Sequence, residues 1–373
     1  RAQVSFGDGV MHLAADSLLG EYDYYIQRDY GIFLLSGSNK YLSGKLNRYA
    51  GYSLDDIDGL DFGKATVNAS RYSTIDPEPV RRQILAFTKS GGTGKLLPKG
   101  SAPGSRVESG EISGGHTLRH GPTVVSLPSR SLPDKSIVAS AEKLADNLKN
   151  PDAIFREGSS KYLMDSYILS VFNRSGHASA DNHFFDNEVE YIICGELSDE
   201  KNLRKTDLAL LSLRTGLNLS HIYSDSKKLA AVAAAAEIIT PGVLGTVTQA
   251  GIALAWAAAE AKNDIKLLHS GARVPVIKDP LSWAIDLDSL IGGCDPDSGC
   301  IHPASDRGRP YADYLRILLF IKDENIKTAR ILDLIQINMR KNHDADFIIL
   351  ECATGISIDS EINGKRLIYD KKY

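Results

Sequence analysis

The sequence predicts an α+β fold: a helix-rich body carrying a mainly antiparallel sheet. Three observations lead there. Residues 198–270 run almost unbroken in helical pattern. Short apolar runs of strand type lie towards both ends of the chain, around residues 62–75 and 356–369. The dipeptide Asn363-Gly364 sits inside the second of these regions and supplies the positive φ angles of a tight hairpin, which makes the pairing there antiparallel.

The chain opens in a helix. Phe6, Val10, Leu13, Ala14, Leu18, Tyr22 and Tyr25 share one stripe, with Asp16 and Glu21 off it, and Gly31 ends the helix. Ile32-Phe33-Leu34-Leu35 is a short strand candidate. Residues 38–49 read as a short helix and residues 62–75 as extended chain. Asp76-Pro77-Glu78 starts a helix that reaches Thr88. Residues 91–115 are rich in Gly, Ser and Pro and form a loop or linker. Residues 124–129 read as a short edge strand stopped by Pro128. Residues 135–148 and 159–172 are helical, and residues 177–187 form a polar loop.

The central block begins with a strand candidate at residues 189–195. Ser198 then caps an amphipathic helix, with Asp199 and Glu200 suited to its positive end. Leu203, Leu210 and Leu217 recur at seven-residue spacing along it, joined by Leu211 and His221. Ser224-Asp225 restarts the pattern for an Ala-rich helix through Ile238. Thr240-Pro241 reads as the cap and first position of a long helix ending at Ser270-Gly271. Residues 241–259 carry no charge, yet Gly, Thr and Gln dilute the run, so it reads as a buried central helix rather than a membrane span. Beyond it, residues 273–277 are of β type, and Trp283, Ile285 and Leu287 alternate as in a strand. Residues 311–321 and 326–340 are helices parted by Asp323-Glu324-Asn325. Residues 347–350 form an apolar run expected to be a strand covered on both faces. Ile356 and Ile358 open the terminal hairpin, which returns through Leu367-Ile368-Tyr369.

These elements divide into residues 1–36 (first helix and first strand), 37–134 (strand and helix region with the Gly-rich loop) and 135–373 (main body with the central block). A chain of 373 residues buries a sizeable core. Its net charge of -4, with no basic block, gives no footing for nucleic acid. It starts at Arg1 without a methionine, which reads as a fragment or processed form, and holds no signal peptide. Cys294 and Cys300 close the turn-rich segment Cys-Asp-Pro-Asp-Ser-Gly-Cys. Cys194 and Cys352 sit in apolar strand candidates that can face one another. In an oxidising compartment both pairs are candidate structural disulfides; in a cytosol neither forms. The alternative for Cys194 and Cys352 is two buried free thiols. Zinc ligation is disfavoured, since the close paired spacing is missing.

Four constellations resemble chemistry and fall short of it. Gly91-Gly92-Thr93-Gly94-Lys95 lacks the first glycine and the final hydroxyl of a phosphate loop, where Lys89 and Leu96 stand. Ser224 and Lys227 match a Ser-x-x-Lys pattern, without the supporting motifs, and Ser224-Asp225 suits a helix cap. Asp295, Asp297 and Asp306 suggest calcium, but Cys300 occupies the position of the required glycine. His177, Asp181, His183 and Asp186 cluster in a polar loop at spacings that match no ligand pattern, and His116 and His120 sit in or just after the Gly-rich stretch. No catalytic residue, cofactor or metal site is assigned.

Several stretches resemble a Gram-positive domain family of unknown function associated with tight-adherence (Tad) pilus loci. They are Leu13-Ala14-Ala15-Asp16-Ser17-Leu18-Leu19-Gly20-Glu21-Tyr22-Asp23, Asp29-Tyr30-Gly31-Ile32-Phe33, Glu188-Val189-Glu190-Tyr191-Ile192-Ile193-Cys194-Gly195 and Trp256-Ala257-Ala258-Ala259-Glu260. Val274-Pro275-Val276-Ile277-Lys278, Tyr311-Ala312-Asp313-Tyr314-Leu315-Arg316 and Asp333-Leu334-Ile335-Gln336-Ile337-Asn338-Met339-Arg340 follow in the family's order. Such proteins look like TadE- or TadG-type pseudopilins, in which an apolar membrane helix continues into an exported domain. The resemblance implies a non-enzymatic, extracytoplasmic, membrane-anchored protein at the cell surface, whose partners are other pilus or pseudopilin subunits, possibly copies of itself. The first helix here then continues from a membrane segment that this sequence does not contain, and Phe6, Val10, Leu13, Leu18 and Tyr22 are its candidate assembly residues. The alternatives are a surface adhesin for glycan or host protein, with loops 91–115 and 294–300 as contact surfaces, and a cell-envelope hydrolase using Ser224 and Lys227.

Overall fold

A computed structural model gives the fold and describes residues 2–54, 57–95, 112–113, 116–148, 154–156, 158–177, 183–292 and 308–373. In chain order the helices are α1 (Ala2–Leu19), α2 (Tyr24–Tyr30), α3 (Asn39–Leu54), α4 (Glu78–Lys89), α5 (Pro122–Val125), α6 (Ile137–Asn147) and α7 (Ser160–Val171). They continue as α8 (Glu188–Cys194), α9 (Asp199–Ser224), α10 (Ser226–Ile239), α11 (Gly245–His269), α12 (Leu287–Ile291), α13 (Tyr311–Ile321) and α14 (Glu324–Asn342). The strands are β1 (Leu35–Ser36), β2 (Thr66–Asn68), β3 (Ile112–Ser113), β4 (Thr117–Leu118), β5 (Cys352–Ala353), β6 (Gly355–Ile362) and β7 (Lys365–Lys372). This is a helix-rich α+β protein whose strand pairings are antiparallel, as the sequence predicts. Two compact units form: one from Arg1–Leu132, Ser179–Phe184 and Thr328–Tyr373, the other from Pro133–Ala178 and Phe185–Lys327.

The first unit is built on a sheet of order β2-β6-β7. Ile356, Ile358 and Ile362 alternate along β6 and all face inward, the period-two pattern of a strand with one buried face. Val67 of β2 and Tyr369 of β7 flank Ile358 in register. The hairpin turn is Asn363-Gly364, at φ 49° and 72°, as its sequence predicts. α1 and α3 pack into the core with this sheet, and α3 commits Leu42, Leu46, Ala50 and Leu54, one residue per turn. The first helix does not run on to Gly31. It breaks after Leu19, and Asp23 caps a new start by accepting the Ile26 amide at 3.0 Å. Gly31, at φ 67°, then closes α2.

Two strand expectations in this unit fail for the same reason: apolar content was read as strand where the backbone finds other partners. Residues 124–129 form the end of the single turn α5, opened by Pro122, and part of a 3-10 turn at Pro128–Ser131. Residues 347–350 lead into a 3-10 turn, Ile349–Glu351, and the buried Ile349 amide donates to Gln336 Oε1 at 2.9 Å instead of to a neighbouring strand. α14 holds the loops around it through its polar side chains. Asp333 accepts the Ser129 amide at 3.1 Å, and Asn338 accepts the Phe184 amide at 2.7 Å.

The second unit is helical among the described residues. α9 is its spine, with α6, α8, α10 and α11 against it. Gly216 lets α6 approach closely, because a Cβ there would stand 2.5 Å from Ala145 Cβ. Residues 189–195, expected as a strand, are helix α8 and the glycine after it. Every residue of α8 is buried, and a short run buried all round carries no period to separate helix from strand. Thr240-Pro241 does not cap α11; Thr240 closes α10, and α11 starts at Gly245. Residues 273–277 and 283–286 form no strand and join no sheet, apart from one isolated bridge, Val274 to Arg309. Cys194 in α8 and Cys352 in β5 are not joined by a disulfide. Each is a buried thiol beside its own hydroxyl, Thr206 at 3.2 Å and Ser36 at 3.3 Å, as in the buried-thiol alternative for this pair. Cys294 and Cys300 lie outside the described residues.

Candidate functional site

α1 offers the first surface. Its inner side is closed, with Val10, Met11, Ala14, Ala15 and Leu18 buried in the core. Gly7 permits the close approach, since a Cβ there would meet Ile362 Cδ1 at 2.9 Å. β7 holds the flank: the Tyr369 hydroxyl donates to Asp8 at 2.7 Å and the Lys371 ammonium to Asp16 at 2.8 Å. The five assembly residues therefore do not form one stripe. Val10 and Leu18 belong to the core. Tyr22 lies beyond the end of α1, its ring edge-on to Phe33 at 4.9 Å. Phe6 and Leu13 stay outside, 52% and 68% exposed. At about 100° per residue, Phe6 and Leu13 nearly eclipse one another, and the inward residues centre roughly 120° away from them. The apolar content of this helix is thus divided between a buried side and a small exposed side.

The helical arm of the second unit offers another surface, and its base is ionic. Arg214 of α9 is fully buried and donates to Asp264 Oδ2 of α11 through Nε and Nη2, at 2.9 and 2.7 Å. It also donates to Asn218 at 3.1 Å and to the carbonyls of Pro275 and Val276 at 3.0 and 2.6 Å. Lys278 lies between Asp264 Oδ1, at 2.7 Å, and Glu260. Glu260 accepts the amides of Ala284 and Ile285, at 3.0 and 2.7 Å, and so takes the place of the neighbouring strand that this segment lacks. Two cations and two carboxylates balance, which is what makes their burial tolerable. Beside them, Lys228 sits over the rings of Trp256 and Trp283 at 4.8 and 4.1 Å, and His221 stacks on Trp283 at 5.5 Å. Burial pulls both Lys228 and His221 below their ordinary pKa values.

A second polar group gathers where α8, α9, α11 and α13 meet. The Tyr311 hydroxyl donates to Glu190 at 3.0 Å, and the Ser175 amide donates to the same oxygen at 3.1 Å. Burial pushes the Glu190 carboxyl up to about 7 despite these donors. His269 lies 2.9 Å from Asp207, whose hydrogen bond raises the imidazole, and its ring is 5.0 Å from that of Tyr311.

The buried charges were missed in the sequence because α9 was read by its leucines. Its inward row is Asn202, Thr206, Leu210, Arg214, Asn218 and Ile222, all buried and each four residues from the next. That row was the available signal: polar residues at helical spacing on the side that also carries apolar ones. Of the other sequence candidates, Ser224 donates its hydroxyl to the His221 carbonyl at 2.9 Å, and Asp225 caps α10 through the amides of Lys227 and Lys228. Residues 91–95 follow helix α4 rather than the strand that a phosphate loop requires. His177 closes a turn with Arg174, while the buried His183 offers its carbonyl to Lys341 at 2.6 Å. Asp181, Asp295, Asp297 and Asp306 lie outside the described residues, as does most of loop 91–115.

At the far end of the arm, the last turn of α10, the connection and the first turn of α11 expose Ile238, Ile239, Val243, Leu244 and Val247. Among the described residues, no helix is long and apolar enough to cross a membrane.

Fold and surfaces together define a helix-rich α+β protein with a buried ionic network and two exposed apolar faces. The chain belongs to a family of unknown function, DUF5702, whose profile matches residues 122–364. No curated protein and no solved structure matches it.

Proposed function

We propose that the chain is a non-catalytic, extracytoplasmic interaction domain of a membrane-anchored, pseudopilin-like protein that serves the assembly or surface display of a Tad-type pilus. The observation that carries this reading is the outer side of α1, where Phe6 and Leu13 stand exposed one heptad apart, two turns or about 10 Å along the axis. An apolar pair at that spacing is the seam through which one helix packs against another. The inner side is already committed to the sheet, so the outer pair is available to a partner helix. The resemblance supplies the partner class: other pilus or pseudopilin subunits, copies of this chain included.

Photo-crosslinking in the native organism tests the reading. A benzophenone amino acid at position 6 or 13 is expected to capture pilus subunits in sheared surface filaments or in the membrane fraction, and one at the buried position 14 is not. Recovery of the protein in the cytosol, or equal capture from all three positions, would overturn it.

A further inference from the structure

α3 carries three cations and no carboxylate in its 16 residues, in a chain whose net charge is -4. The three cations, Lys40, Lys45 and Arg48, line one surface cleft of about 510 Å³ together with Ser38, Tyr41 and Gly44. Lys45 is held in place: Glu21 pairs with its ammonium, which also sits over the Tyr41 ring at 4.8 Å. Lys40 and Arg48 are exposed and have no ion-pair partner among the described residues. The cleft therefore holds two positive charges that nothing on the described surface balances.

Gly44 is the floor of this cleft. It stands inside a regular helix, where glycine is less favourable than alanine. Packing does not call for it, because a Cβ there would meet nothing within 4 Å. At about 100° per residue, Lys40 and Arg48 lie roughly 40° to either side of Gly44, one turn before and one turn after it. Lys45 and Tyr41 border the same face. The helix is thus bare at the position that three long cationic side chains surround, and an anion can approach it between them. Lys40 and Tyr41 belong to the first turn of α3, where the helix dipole adds to the positive potential.

We propose that the cleft over Gly44 is a binding site for a phosphate monoester group, with Lys40 and Arg48 as its main contacts and Lys45 as its fixed wall. Two unbalanced cations match the charge of such a group, about −1.5 to −2 at pH 7, whereas a carboxylate supplies only one. Its three outer oxygens can accept from a guanidinium fork and two ammonium groups together. Free phosphate and a phosphate carried on a larger alcohol share this chemistry, and a cleft of about 510 Å³ has room for the carrier. A long polyanion fits less well, because the three cations span only about 12 Å of helix. The inference stands apart from the α1 proposal and uses no residue of it.

Isothermal titration calorimetry of the purified full chain tests it, with inorganic phosphate, glycerol phosphate and glycerol. Both phosphates are expected to bind saturably and glycerol not at all. Affinity is expected to fall severalfold between about pH 7.5 and about pH 5.5, as the group takes up its second proton near pH 6. Tighter binding of glycerol phosphate would name a carried phosphate as the source, and equal affinity the free anion. Lys40→Glu/Arg48→Glu is expected to weaken both at least roughly tenfold. Arg204→Glu, at an exposed cation of α9, is expected to change nothing. Gly44→Ala is expected to raise the thermal midpoint while weakening binding, and Gly44→Leu to abolish binding. Circular dichroism checks that every variant folds. Four outcomes overturn the inference: no saturable binding of either phosphate, equal losses in Arg204→Glu and the double variant, wild-type affinity in Gly44→Leu, or capture of heparin with no binding of either small phosphate.

Discussion

Replacing Glu190 by Gln makes the stability of the second unit less dependent on pH, and the size of the effect follows from the site. Glu190 is buried, accepts from the Ser175 amide and the Tyr311 hydroxyl, and has Asp199 and the half-buried Arg174 nearby. Burial dominates and raises its carboxyl from 4.5 to about 7. Below pH 4.5 the carboxyl is protonated in both the folded and the unfolded chain and costs nothing. Between 4.5 and 7 the unfolded chain ionises while the folded one holds its proton, so stability falls as pH rises. Above 7 the penalty is complete. Over that interval it amounts to about 3 kcal/mol, at about 1.4 kcal/mol per pH unit. Gln keeps the shape and the accepting oxygen and does not ionise. The stability difference between Glu190→Gln and wild type is therefore expected to grow by about 3 kcal/mol in favour of the variant from pH 4.5 to pH 8. Urea unfolding followed by tryptophan fluorescence is the assay, because the only two tryptophans, Trp256 and Trp283, both lie in the second unit. Taking the difference between variants cancels the other titrating groups. A difference that stays constant with pH, or one that grows towards acid, would refute the reasoning.

Lys327 is fully buried between Asp165, at 2.7 Å, and Glu324, at 2.8 Å, while burial lifts Asp165 to about 6. Lys327→Met is expected to cost about 3–5 kcal/mol in urea unfolding and the double variant with Asp165→Asn much less; equal losses would argue against the pairing. Cys352, whose thiol burial pushes up to about 12, and the buried Cys194 are expected to resist iodoacetamide in the folded protein and react once it is unfolded, read by mass spectrometry. Rapid native labelling of either would refute that placement. Gly364→Ala, at φ 72° in the hairpin turn, is expected to destabilise by about 1 kcal/mol in thermal unfolding, and an unchanged midpoint would count against the turn.

Where the sequence pattern carried a period, it was legible. α4, α6, α7, α9 and α13 lie close to where the sequence places them, although Ser198 makes no side-chain capping bond at the start of α9, and the Asn363-Gly364 hairpin lies where its dipeptide puts it. Where a run is buried on every side, period vanishes and type becomes ambiguous; α8 was lost this way. The 3-10 turn at Ile349–Glu351 was missed for another reason: only Ile349 of it is buried, and its amide is met by Gln336. The segment at residues 283–286 has the alternation of a strand, but its Ala284 and Ile285 amides are met by the Glu260 carboxylate from a helix, which no local pattern reports. The first helix was misjudged for a related reason. Its apolar residues outnumber those one side can bury, so pattern alone does not say that Val10 goes in while Leu13 stays out. Ala14 and Met11, the immediate neighbours of that boundary, mark the true inner side.

The ionic base and the aliphatic tip of the α10–α11 arm belong to one physical arrangement. α11 meets its neighbours through Ala253, Ala257, Ala259 and Ala261, which bury little area each, and through the larger Trp256, Leu267 and Leu268. The apolar part of that contact has no fixed direction. The Arg214 fork does, because its bonds to Asp264, Asn218 and two backbone carbonyls are directional, and a shift of about 5.4 Å breaks them together. Lys278 and Glu260 extend the same constraint to the segment that holds Trp283 against Trp256. All four of these charges lie on the base side of the arm, so none of them reaches the tip. Register is thus set by directional bonds where the arm is buried, and the aliphatic tip, with Glu237 as its one charged residue, lies where the arm is exposed. An arm held only by alanine packing would present that tip in several registers; this one presents it in a single register.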